Sequence, residues 1–61
     1  MTPEEAKQAV VDQEYVTLYD AQGFAHATGR IISYSIVPTV TIETASGQRV
    51  SWRHDMARIE R

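Results

Sequence analysis

Aliphatic and polar side chains alternate through Tyr15-Val16-Thr17-Leu18-Tyr19. A period of two predicts a strand with Val16 and Leu18 facing a core and Tyr15, Thr17 and Tyr19 on the other face. The same period returns from Thr39 to Thr44, with Val40 and Ile42 inward and Thr39, Thr41 and Glu43 outward. It returns again from Arg49 to Arg53, where Val50 and Trp52 share one face and three polar residues share the other. Residues 25–34 predict a longer strand with Gly29 inside it, a glycine position that marks a bulge or a sharp bend. Ile31 is expected to point in, with Arg30 and Tyr34 on the opposite parity. A last short strand over residues 57–60 is anchored by Ile59.

Between these segments lie turn signals. Asp20-Ala21-Gln22-Gly23 predicts a turn, with Phe24 as the next core residue after it. Ile36-Val37-Pro38 interrupts the pattern: proline has no amide to donate, so the strand must pause there, with two apolar residues in a loop or at an edge. Ala45-Ser46-Gly47-Gln48 predicts a hairpin turn with Gly47 at the tight position. His54-Asp55-Met56 predicts a short 3₁₀ turn in which Asp55 caps locally.

Before the first strand the period changes. In Thr2-Pro3-Glu4-Glu5 the threonine hydroxyl can accept from the amide of Glu5 while the Glu5 carboxylate reaches back to the amide of Thr2. Pro3 fits the first helical position, where its missing N–H costs nothing. Ala6, Ala9 and Val10 follow at helical spacing, which predicts a helix from residue 3 to 11 or 12. Its small apolar stripe can lean on a barrel but cannot make a core.

One helix over about 3–12 and five short strands over about 15–60 fill the 61-residue chain as one domain. Closely punctuated strands of this kind predict a mainly β fold, a very small closed barrel preceded by one short helix. The order of helix, long strands two and three as a hairpin, tight turn, fourth strand, 3₁₀ turn and fifth strand resembles the SH3-like and Sm-like small barrels. The preceding helix leans toward the Sm-like variant. Such barrels serve as binding scaffolds far more often than as enzymes.

Two narrower resemblances follow from particular stretches. The acidic helix, the Val16-Thr17-Leu18 strand, Gly29 and the run from Gly47 through Trp52 to Ile59 resemble the small acidic bacterial Rho-inhibitor proteins. That resemblance implies a regulator that binds a protein partner. Gly29-Arg30-Ile31-Ile32-Ser33-Tyr34 and the ending Arg58-Ile59 are similar to the plasmid-borne, trimethoprim-resistant dihydrofolate reductases, SH3-like chains that form a tetramer around a central active pore. Arg49-Val50-Ser51-Trp52 stands here in place of that family's Val-Gln-Ile-Tyr, so the activity does not carry over.

Charge divides the chain unevenly. Residues 1–20 carry five acidic side chains against Lys7, a net of −4. Residues 21–61 carry five arginines against three acids, a net of +2, within an overall −2. Every cation of the strand region is an arginine, the side chain suited to bidentate grip of carboxylate or phosphate. There is no cysteine, hence no disulfide or thiolate site, which fits a reducing cytoplasm. The acidic start and the lack of a long apolar run predict neither a secretory signal nor a membrane span. A domain this small buries a modest share of its surface, and oligomerisation is a common remedy, so a homo-oligomer is expected. A threonine-rich third strand, if it lay at an exposed edge, would invite a neighbouring chain.

No catalytic constellation stands out. His54 and Asp55 are adjacent and would point to opposite faces of a strand. Nothing in the spacing of His26, His54 and Asp55 requires a metal site, and the isolated glycines make no phosphate loop. No cofactor is expected. The best candidate patch is Arg30, Arg49 and Arg53 with Tyr34, placed to grip an acidic peptide, a phosphate backbone or a nucleotide. The expected function is therefore a non-catalytic binding module, a protein-binding regulator or inhibitor of the kind phages and mobile elements encode. The alternatives are a nucleic-acid-binding barrel and a subunit of a small oligomeric enzyme with its site on a symmetry axis. Nucleic-acid binders carry a stronger basic bias than this chain, which favours a protein.

Overall fold

Thr2 caps helix α1 (Pro3–Asp12) as its sequence predicts: the Glu5 amide donates to Thr2 Oγ1 at 3.1 Å and the Thr2 amide to Glu5 Oε1 at 3.0 Å. At the other end Gln13 takes the left-handed conformation, φ 54°. Its amide bonds the Val10 carbonyl and the Glu14 amide bonds the Ala9 carbonyl at 3.0 Å, the Schellman pattern closed without a glycine. The structure is a computed structural model and describes residues 1–35 and 39–60. Ile36-Val37-Pro38, where the strand was expected to pause, lies outside the described residues.

Five antiparallel strands follow: β1 (Tyr15–Tyr19), β2 (Ala25–Tyr34), β3 (Thr39–Thr44), β4 (Arg49–Arg53) and β5 (Ala57–Ile59), with a 3₁₀ turn over His54–Met56 before the last. Their order in the sheet is β4-β3-β2-β1-β5. The sheet is not closed, so the expected barrel appears as an open sheet with β4 and β5 at its ends. β3 lies between β2 and β4 and has no exposed edge, which removes the edge argument for a neighbouring chain. The actual end strands are short, and β4 begins and ends in an exposed arginine, a common way of blunting an edge.

The inner face holds the core. Val16, Leu18, Ile31, Val40 and Ile42 are fully buried, as the alternation predicts, and Ala57 joins them from β5. Each large aliphatic residue taken out of water contributes about 1.5–3 kcal/mol. Ala6 and Ala9 of α1 close one side of this cluster, so the helix leans on the sheet through small side chains. The helix is tied at both ends. The Met1 nitrogen donates to the His54 carbonyl at 2.8 Å, and the Ile31 amide donates to the Glu14 carbonyl at 3.1 Å.

At Gly29, β2 and β3 approach each other closely. A Cβ built there would lie 2.3 Å from the Glu43 carbonyl oxygen, so only glycine fits. Gly47, with φ 85°, makes the left-handed step of the β3–β4 hairpin. Across the inner face, Trp52 Nε1 donates to the Tyr19 carbonyl at 2.8 Å, linking β4 to β1 across the two strands that separate them in the sheet. The Trp52 ring stacks on His26 at 4.8 Å. These contacts curl the sheet over its core.

Two expectations fail for local reasons. Phe24 is 67% exposed and not in the core. It belongs to the turn: Asp20 Oδ1 accepts from both the Gln22 and Phe24 amides, at 2.9 and 3.0 Å, and the Asp20 amide donates back to the Phe24 carbonyl. Tyr34 does not share a face with Arg30. The β2–β3 register shifts between Ile31 and Ser33, so Tyr34 pairs with Val40 and lies on the inner parity.

Candidate functional site

The outer face is built by the other half of each alternation. Arg49, Glu43, Arg30 and Tyr15 fall in direct register across β4, β3, β2 and β1. The Glu60 amide, donating to the Tyr15 carbonyl at 2.8 Å, extends that row beyond β5. Directly opposed side chains on one face of a sheet interact, and opposite charges there stabilise each other modestly. Arg49 Nε lies 3.6 Å from Glu43 Oε2 with both side chains well exposed, so water screens the pair.

Arg53, on the same face of β4, is held by a neighbour. Its Nε and terminal nitrogen donate to the two Asp55 oxygens at 3.2 and 2.9 Å. Arg30 and Arg58 behave differently. Arg30 lies over the Tyr15 ring, 5.7 Å from its centroid, and Arg58 lies over the Tyr19 ring at 5.4 Å. Among the described residues neither has a carboxylate within ion-pairing distance. An arginine over an aromatic face is attracted by about 0.5–1 kcal/mol where exposed and keeps its N–H edge free for a ligand.

Between the two arginine–tyrosine pairs sits Thr17, which pairs with Thr28 on one side and Arg58 on the other. Its side chain is almost wholly buried although it points to the outer face. The Thr17 hydroxyl meets Thr28 Oγ1 at 2.9 Å and donates to Glu60 Oε1. Beside Tyr15 and Arg30 a shallow depression of about 360 Å³ opens, bordered by Thr28, Glu43 and Thr44. Among the described residues no cluster of three or more His, Asp or Glu side chains could hold a metal.

Of the four residues singled out from the sequence, Arg30, Arg49 and Arg53 share the outer face and Tyr34 does not. Tyr34 is 39% exposed, on the side of Trp52. Tyr15, Tyr19, Arg58 and Glu60 take its place on the arginine face. Parity alone puts Tyr15 and Tyr19 there. Arg58 and Glu60 join only through the pairing of β5 with β1, a contact between the two ends of the strand region that local pattern does not carry.

Comparison of the chain with protein-family models, with curated protein sequences and with solved structures finds no match to any of them.

Proposed function

We propose that this chain is a non-catalytic binding module that recognises a protein through the outer face of its sheet, acting as a regulator or inhibitor. The observation that carries the reading is the pair of arginines, Arg30 and Arg58, each laid over a tyrosine on one face and neither ion-paired among the described residues. Arginine and tyrosine are, with tryptophan, the side chains enriched where proteins bind one another tightly. The face is only weakly cationic, with Arg30, Arg49, Arg53 and Arg58 set against Glu43, Asp55 and Glu60. That balance suits a few charge-assisted contacts better than a polyanion.

The sheet order, the long second strand in close approach to β3 at Gly29 and the 3₁₀ turn before β5 support reading this open, curled sheet as an SH3-like or Sm-like barrel. Function does not follow from that likeness; it rests on the face itself. A nucleic-acid reading draws on the same tyrosines, since bases stack on aromatic rings and arginine planes.

Site-specific photocrosslinking separates the two. A photoreactive side chain at the exposed outer-face position Ser33 is expected to capture a protein in cell extract. The same group at Val11, exposed on α1, is not expected to capture it. The protein adduct should disappear in the Arg30→Gln/Arg58→Gln double variant. A nuclease-sensitive adduct in its place contradicts the proposal.

A further inference from the structure

The tyrosine rings beneath Arg30 and Arg58 have a spacing. Tyr15 and Tyr19 lie four residues apart on one strand, about 13 Å at about 3.3 Å per residue. Side chains on one face of an extended peptide recur at every second residue, so positions i and i+4 of such a peptide span the same distance.

The middle of the span is not neutral. The Glu60 carboxylate rests on the Thr17 hydroxyl, between the two pairs in β1 register. A ligand carboxylate at i+2 would face that like charge, while carboxylates at i and i+4 would meet Arg30 and Arg58. The exposed Thr28 hydroxyl, which meets Thr17 Oγ1 at 2.9 Å, lies at the centre and suits a small polar side chain.

Resting on the protein-binding reading above, we propose that the outer face selects an extended acidic segment of its partner. That segment carries carboxylates at i and i+4 and a neutral residue at i+2. Charge complementarity fixes the two ends and Glu60 excludes the centre. A free acidic strand fits because the face offers exposed hydroxyls and guanidinium edges along extended rows.

The probes are capped seven-residue peptides. One is Gly-Glu-Ser-Thr-Ser-Glu-Gly, and the others carry glutamates at i and i+2 only, at i, i+2 and i+4, or glutamine at both ends. A single-stranded oligouridylate completes the set. The readout is the arginine Nε–H and amide resonances of ¹⁵N-labelled protein. The i, i+4 peptide should shift Arg30 and Arg58 together and bind about three-fold more tightly than the i, i+2 peptide, the scale of one exposed ion pair. The three-glutamate peptide should gain nothing over it in the wild type. It should overtake it in Glu60→Gln, a change that keeps a hydrogen-bonding side chain on Thr17. Arg30→Gln and Arg58→Gln should each weaken the i, i+4 peptide about three-fold.

Equal binding of all acidic peptides at these resonances overturns the spacing while leaving a protein-binding face intact. Shifts confined to other residues overturn the site. Response to the oligouridylate alone overturns both the spacing and the protein reading beneath it.

Discussion

Replacing Gly29 with alanine adds one methyl group where the structure has no room for it. The new Cβ would stand 2.3 Å from the Glu43 carbonyl oxygen, 2.7 Å from its carbon and 3.0 Å from the Thr44 nitrogen. Ordinary contact begins near 3.4 Å, so β3 would have to withdraw by about 1 Å. The atoms in the way are backbone, held in place by pairing to both β2 and β4, and no flexible side chain can swing aside. Overpacking of this kind costs about 1–3 kcal/mol. Restricting the unfolded chain by the same change returns about 0.4–1 kcal/mol. A net loss of about 1–2 kcal/mol is therefore expected, out of roughly 3–9 kcal/mol for a domain of this size. Urea melts followed by far-ultraviolet circular dichroism and Trp52 fluorescence would measure it. Thermal melts should show a midpoint lowered by about 5–15 °C. A midpoint equal to or above that of the wild type would refute the close approach of β2 and β3.

Other substitutions test other links. Trp52→Phe removes the donor to the Tyr19 carbonyl, a bond that curls β4 over β1, and should cost about 1–2 kcal/mol in urea melts; no loss would mean that the bond does not hold the curl. Gln13→Gly relieves a left-handed residue that no branched geometry requires and should stabilise the chain by about 0.5–1 kcal/mol, read as a higher thermal midpoint. Phe24→Ser should change stability by less than about 0.5 kcal/mol because the side chain is exposed. Leu18→Ala, in the sealed core, should cost about 2–5 kcal/mol by the same assay.

Much of the fold is legible in the chain because its signals are local. The capping box at Thr2 and Glu5, the alternation through Val16 and Leu18 and the hairpin at Gly47 each act within a few residues, and each element forms where they place it. Phe24 escapes such reading because Asp20 draws its amide into the turn, a side-chain bond that competes with strand continuation. Tyr34 escapes because a single irregularity between Ile31 and Ser33 reverses the parity of every residue after it. The arginine face was half legible. Arg30, Arg49 and Arg53 follow from alternation, but Arg58 and Glu60 reach it through a long-range strand pairing. Which arginines remain unpaired depends on Glu43 and Asp55 being in reach, a matter of side-chain geometry.

In the function proposed above, Arg30 and Arg58 form the working part of the outer face. The most direct test of that role is the affinity of the partner captured at Ser33 for the wild type and for the Arg30→Gln/Arg58→Gln double variant, compared by titration calorimetry at equal ionic strength. At least a ten-fold loss of affinity is expected, with the thermal midpoint of the variant within a few degrees of the wild type. Equal affinity in a folded double variant would contradict it.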